Sequence, residues 1–290
     1  MVNKIKLALR MGWFMLSKKN ANSSGDYDNA SGDYDSFFSS TMGEHSLNLI
    51  EKMDIKPGQD VLELACGTGF ITNKIAQMLD GKGSITTVDQ SIGMLNIARN
   101  KLKKFSNLEI KTSQDDMMNF LKKMPDSSFD IVVCGWAICY TNPVNFMKEV
   151  NRVLKDNGQV GIIETRVDSE EVLMKAFETV LSKDPSYLQR YIRIELPSNN
   201  KILEKWFEKS KLKIISSWQG EQPLPCKNSD EAIEWILRSG AAAGFLDVLD
   251  RKREKEILTN IKNQVDIIIK ENGELNLSHT YVAGIASKAL

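Results

Sequence analysis

The sequence predicts an α/β fold: a parallel sheet with helices on both faces, interrupted late in the chain by helical insertions. Three observations predict it. From about residue 60 to residue 165, apolar strand-like segments alternate with amphipathic helical ones. The stretch VLELACGTGF, residues 61–70, reads as a buried strand entering a glycine turn and then a helix. The closing segment HTYVAGIASKAL reads as a strand, and a lone terminal strand needs a sheet to join.

The 290 residues suffice for one large domain with a sizeable cap. Charge is balanced at 38 basic and 38 acidic residues with 42% hydrophobic side chains, an ordinary globular composition with no basic footprint for nucleic acid. Cys66, Cys134, Cys139 and Cys226 lack metal-ligand spacing, so no metal site is expected and the thiols read as free in a reducing, cytoplasmic setting. No apolar run reaches the roughly 18–20 residues that span a bilayer.

The first segment, MVNKIKLALRMGWFMLSKKN, carries Lys4, Lys6, Arg10, Lys18 and Lys19, and the first acid is Asp26. Ile5, Leu9, Trp13 and Leu16 recur at helical spacing. Arg10 interrupts the apolar stretch and no small-residue cleavage site follows, which argues against a signal peptide. Two readings fit: a basic amphipathic helix making peripheral contact with an anionic membrane, or, favoured here, a helix docked on its own domain with solvated lysines. The Gly-, Ser-, Asp- and Asn-rich stretch 21–40 reads as a loop. An amphipathic helix then ends at Pro57-Gly58.

Next come strand 60–65, helix 70–79, strand 84–88, helix 91–104, strand 108–112, strand 129–135, helix 143–155, a turn at Asn157-Gly158 and strand 159–164. Beyond 166 the pattern turns helical at 168–183, 185–195 and 199–210, with a strand at 212–218 and a long helical run over 229–271. The expected organisation is an N-terminal helix and lid segment (1–44), a cofactor-binding core (45–165), and the remaining strands with cap insertions (166–290).

The first strand carries the chemistry. Gly67 allows close backbone approach or positive φ, and Gly69 lets the following helix pack tightly. The third glycine of the dinucleotide pattern G-x-G-x-x-G is missing. Glu63 would repel a pyrophosphate, yet it suits an ammonium or sulfonium group. Asp89 closes the next strand, where an acid accepts ribose hydroxyls. In SQDDMMN, Asp115 or Asp116 is placed to accept from an adenine amine. Ribose, adenine and an amino-acid cation together describe S-adenosylmethionine.

At this point the chain resembles the class I S-adenosylmethionine-dependent methyltransferases, strongly over about 45–165 and more weakly at the last strand. VLELACGTGF, VDQSIGMLNIAR, Asp115-Asp116, FDIVVCGWAICY and EVNRVLKDNGQVGIIE carry the likeness in order. The resemblance implies a Rossmann-like seven-stranded methyltransferase sheet with one antiparallel strand, here 280–288, and helical cap insertions. It implies that Glu63 and the backbone at 65–67 hold the methionine part, Asp89 the ribose, and Gln90 and Met94 the adenine ring. Asp115 would take the adenine amine, the backbone near Cys134 the amino group, and Tyr34 would fold over the cofactor from the N-terminal segment. Ala65 stands where the family more commonly has glycine, and its methyl group requires negative φ.

Methyl transfer asks the protein to align nucleophile, methyl and sulfur and to exclude water. Neither His45 nor His279 lies in the loop after the fourth strand, so no histidine base is indicated there. Tyr140 faces that loop as an aromatic wall or as a base. The expected acceptor is a small, lipophilic metabolite of the quinone-ring type, and the expected assembly a monomer or homodimer. The competing readings are an NAD-dependent oxidoreductase, disfavoured by Glu63 and the missing glycine, and a methyltransferase-like binding subunit without turnover. Nucleic-acid methylation is disfavoured by neutral charge and by the lack of a base-flipping motif in WAICYTNP.

Overall fold

The structure, a computed structural model, describes residues 2–289 except 18, 20, 242 and 244, with side chains described from residue 5 onward. Two compact units divide the chain: one comprises Ser39–Val167, Ile194–Glu221 and Thr280–Leu290, the other Met1–Phe38, Asp168–Arg193 and Gln222–His279.

The first unit holds the sheet. Its strands are β1 (Asp60–Leu64), β2 (Ser84–Asp89), β3 (Glu109–Gln114), β4 (Phe129–Gly135), β5 (Leu154–Thr165), β6 (Leu212–Pro223) and β7 (Ser278–Lys288), in the order β3-β2-β1-β4-β5-β7-β6. β1 pairs in parallel with β2 and β4, and β7 runs antiparallel to β5 with Tyr281 opposite Thr165. The strand order reverses between β1 and β4, so the carboxyl ends of these strands border the crevice where ligands of open α/β sheets bind. β1 is buried beyond its first residue because helices cover both faces, which is why its sequence is a near-continuous apolar run.

Helices α3 (Ser40–Lys52), α4 (Phe70–Leu79), α5 (Ile92–Leu102), α6 (Met117–Lys123), α7 (Pro143–Val153) and α9 (Asn200–Lys209) belong to this unit. α7 shows how the sequence specifies one of them. Asn142 caps it by accepting from Asn145 N–H, and Pro143 takes the first helical position, where no donor is needed. Phe146, Met147, Val150 and Val153 then fall on one face and are fully buried. Truncating Phe146 to alanine would cost about 3–5 kcal/mol.

The second unit is helical: α1 (Val2–Leu16), α2 (Ser24–Ala30), α8 (Glu171–Lys183), α10 (Ser229–Arg238) and α11 (Glu254–Asn272), with α1 and α11 both packed on α8. Several expectations are corrected here. The stretch 21–40 is not a loop: α2 and a π-helical turn, Asp35–Ser39, occupy much of it. Its poor helix propensity is outweighed by tertiary partners, since buried Asp26 pairs with Arg251, and Asp33 with Arg238 at 2.9 Å. Residues 185–195 form only a short 3-10 turn, Pro185–Tyr187, because the following backbone bonds other segments: Gln189 and Arg190 N–H donate to Val248 O, and Tyr191 N–H to Lys19 O. The long helix expected over 229–271 breaks after α10, where Gly240 takes φ +75°, and resumes at α11. Ala242 and Gly244 of the small-residue stretch lie outside the described residues.

The docking face of α1 is also corrected. Among its described side chains Leu7 and Phe14 are the buried ones, and Arg10 Nε donates to Leu188 O at 2.6 Å. Ile5, Leu9, Trp13 and Leu16, the stripe expected to pack, are exposed. Lys18 and the side chain of Lys4 lie outside the described residues. Among the described residues no helix is long and apolar enough to cross a membrane.

Candidate cofactor site

The site is built at the carboxyl ends of β1 and β2. Glu63, on β1 between Thr87 and Val133 of the neighbouring strands, is 1% exposed. Its Oε2 accepts a short 2.5 Å hydrogen bond from Thr72 Oγ1, in the first turn of α4. Burial pushes the Glu63 carboxyl up to about 8; the Thr72 hydroxyl pulls the other way, and negative Asp89 adds to the rise. A buried carboxylate with no cation beside it holds its proton near neutrality. One that meets an ammonium or sulfonium group gives it up.

The turn 65–69 is pinned to β2. Cys66 N–H donates to Val88 O at 3.0 Å and Gly67 N–H to Asp89 Oδ2 at 2.8 Å. Asp89 Oδ1 accepts from Ser91 N–H at 2.9 Å, so the carboxylate is oriented on both sides. Gly67 sits at φ +54°, and a Cβ built there meets no protein atom within 4 Å. Gly69, at φ +78°, starts α4, and a Cβ there would lie 3.1 Å from Ala98 Cβ. The close packing it permits is therefore with α5.

Ala65 departs from expectation. Its φ is +56°, where negative φ was required. The left-handed conformation costs an alanine about 1–2 kcal/mol, so the turn geometry imposed by the Cys66 and Gly67 bonds overrides the residue's preference.

The loop after β3 comes to the same end of the sheet through Asp115 N–H, which donates to Asp89 O at 3.1 Å. Asp115 pairs with Lys123 at 2.6 Å, which holds its carboxyl below the usual range. Asp116 caps α6, a helix the sequence did not reveal, by accepting from Asn119 N–H at 2.9 Å. Gln90 is exposed, whereas Met94 is buried in α5. Cys134 is fully buried in β4, opposite Leu64 and Ile162. Tyr140 ends a 3-10 turn, Ile138–Tyr140, and packs half-buried against the core. Tyr34 belongs to the helical unit, stacked on Phe38 at 5.1 Å and edge-on to Tyr27.

Three features were missed in the sequence. Thr72 carried no signal before its partner was known. Glu164, 1% exposed at the end of β5, accepts from Cys139 N–H at 3.0 Å and Thr165 N–H at 2.7 Å; an acid closing an apolar strand was a signal that could have been read. His45 Nδ1 lies 3.0 Å from Tyr281 OH, with the Trp136 ring beside Tyr281 and Trp136 Nε1–H bonded to Ser46 Oγ at 2.9 Å. The partners in that cluster are far apart in the chain. Among the described residues no group of three His, Cys, Asp or Glu side chains is placed to hold a metal.

The helical unit has its own cavity, about 540 Å³ of empty space including its opening to solvent, lined by twelve apolar side chains such as Leu173, Phe177, Ile233 and Phe245, and by Glu170. Buried Glu170 bonds His279 Nδ1 at 2.9 Å.

Comparison with known proteins agrees with this geometry. A family described as "Methyltransferase domain" matches residues 61–158. Demethylmenaquinone methyltransferase of Lactobacillus johnsonii is 28% identical over 206 residues, 70% of this chain and 81% of the relative. The ubiquinone/menaquinone biosynthesis C-methyltransferase UbiE of Shewanella oneidensis is 30% identical over 133 residues, and the match spans 44% of this chain and about half (51%) of that protein. In fold, the chain is similar to the Bacillus halodurans protein BH2331, with a TM-score of 0.58 at 18% identity, covering 86% of this chain and 100% of that one. The strand order, the Glu63–Gly67–Asp89 constellation and these matches point the same way: residues 61–158 match a methyltransferase domain, and the chain is similar to the class I S-adenosylmethionine-dependent methyltransferases.

Proposed function

We propose that the protein methylates a small, lipophilic acceptor, with S-adenosylmethionine held at the turn around Gly67. The observation that carries the cofactor assignment is the convergence of Glu63 and Asp89 on that turn, where a Cβ at Gly67 would meet open space. Two acids at one end of the sheet suit a ligand with a positive end and a ribose and leave no seat for a diphosphate, which speaks against the NAD-dependent alternative.

When bound, the cofactor supplies a methyl group already activated by positive sulfur. Glu63 ionises against the ligand's positive charge, with Thr72 holding one oxygen in place. Asp89 accepts the ribose hydroxyls without reorganising, because Gly67 and Ser91 have already oriented it. Ala65 and Gly67 offer backbone to the methionine part, and the backbone at Cys134 accepts from its amino group. Gln90 and Met94 flank the adenine. Of the acidic pair, the family resemblance gives Asp115 the adenine amine, with Lys123 paired to the same carboxylate. Tyr140 forms part of the wall that excludes water. Where the acceptor must lose a proton, His45 with Tyr281 is the pair suited to take it.

The acceptor class rests on the quinone-methyltransferase relatives and on the apolar lining of the cavity in the helical unit. We further infer a monomer or homodimer in the cytoplasm, in peripheral contact with membrane through α1.

Transfer of labelled methyl groups from S-adenosylmethionine into a fractionated extract of the source organism tests the function. The expected result is label in a lipid-soluble small molecule. Label in nucleic acid or protein, or saturable NADH binding without S-adenosylmethionine binding, would overturn it.

A further inference from the structure

We infer that the outward face of α1 is a docking surface for an anionic lipid bilayer, on which the helix lies flat. At about 100° per residue, Ile5, Leu9, Trp13 and Leu16 form one stripe on the side away from Leu7 and Phe14. Single exposed apolar residues are ordinary on protein surfaces. Here they are concentrated: of the eleven large exposed apolar side chains among the described residues, six are on this helix, with Leu16 at 85% and Leu9 at 69% exposure. Leu7, Phe14 and Arg10 meanwhile fix the other side of α1 against the helical unit, so the stripe is held outward in one orientation.

Charge selects the occupant. No acid precedes Asp26, and exposed Lys6 and Lys19 flank the stripe. Lys19 Nζ lies 5.1 Å from the centre of the Trp13 ring, placing a cation and an indole together, the pairing that favours the headgroup level of a bilayer. Apolar side chains entering the acyl boundary while lysines remain among anionic headgroups is the arrangement of an interfacial helix. A two-fold contact with a second copy would instead bring the same lysines towards each other.

The test is flotation of the full-length protein with phosphatidylcholine vesicles with and without phosphatidylglycerol. Wild type is expected to float with the anionic vesicles. Binding should fall at least tenfold in a Leu9→Asp, Leu16→Asp double variant and in a Lys6→Glu, Lys19→Glu variant. It should also weaken as salt rises from about 0.1 M to about 0.5 M, where charge screening shortens. Every substituted side chain is exposed, so unfolding midpoints should match wild type. No flotation with anionic vesicles, equal flotation of all variants, or a dimer that Leu9→Asp, Leu16→Asp dissociates without any lipid binding would overturn the inference. S-adenosylmethionine binding, measured on the same variants, reads the methyltransferase assignment separately.

Discussion

Thr72 Oγ1 donates to Glu63 Oε2 at 2.5 Å, so the first turn of α4 holds the carboxylate that strand β1 has buried. The bond keeps the side chain oriented while burial keeps it protonated in the absence of a cation. Ligand binding and proton release are thereby coupled at one residue.

The coupling gives a pH prediction. Glu63 is raised from 4.5 in the ordinary carboxylate to about 8 in the folded chain. Between those values the folded state holds a proton that the unfolded state has lost, so this group makes stability fall as pH rises, by an upper bound of about 4–5 kcal/mol at about 1.36 kcal/mol per unit. Glu63→Gln should flatten the fall between pH 5 and 8 in denaturant titrations. Calorimetry of S-adenosylmethionine binding near pH 7 in buffers of different ionisation heat should show release of up to about one proton in wild type, and less in Glu63→Gln. Zero release in wild type would separate Glu63 from the ligand.

Thr72→Val removes the donor and keeps the shape. Glu63 is then left with a poorer partner, its carboxyl rises further, and cofactor affinity at pH 7 should drop by about 1–3 kcal/mol, the cost of an unsatisfied buried acceptor. Recovery of affinity in the variant above pH 8 distinguishes this cause from general damage.

Ala65→Gly should stabilise the protein. Relief of the left-handed strain, about 1–2 kcal/mol, exceeds the entropic cost of a glycine, about 0.4–1 kcal/mol, leaving a net gain of roughly 0.5–1 kcal/mol in urea unfolding. A loss of stability would mean the Ala65 methyl group contributes packing that outweighs its φ of +56°.

Asp89→Ala should weaken S-adenosylmethionine binding by about 1.5–3 kcal/mol, the scale of hydrogen bonds to a charged group. Gly67 and Ser91 N–H lose their acceptor as well, so stability should also fall; Asp89→Asn, able to keep one such acceptance, should lose affinity with a smaller stability change. Unchanged affinity in both variants would remove Asp89 from the site.

What could be read from the sequence was local. The strand-turn-helix at 61–70 and the acids at 63 and 89 were legible because apolar runs, glycines and strand-terminal carboxylates sit at short, regular spacings. The last strand was legible from its apolar run, while its antiparallel direction was implied by the family resemblance; the structure pairs it antiparallel with β5. Partners distant in the chain were not legible: Tyr281 with His45, Arg251 with Asp26, and Tyr191 with Lys19 decide structure that propensity alone assigns wrongly. The stripe on α1 was visible as a period, but a period does not say which face meets protein. Ala65 shows the same limit at the level of one dihedral angle, since neighbouring hydrogen bonds set its φ.

The central claim is that the space above Gly67 belongs to a cationic adenosyl ligand, and Gly67→Ala tests it most directly. The added Cβ meets no protein atom within 4 Å, so folding should lose only the left-handed strain of about 1–2 kcal/mol. Isothermal titration should show saturable S-adenosylmethionine binding in wild type, no NADH binding, and at least tenfold weaker S-adenosylmethionine binding in Gly67→Ala. A folded variant with wild-type affinity, or a wild type that takes NADH in its place, would contradict the account.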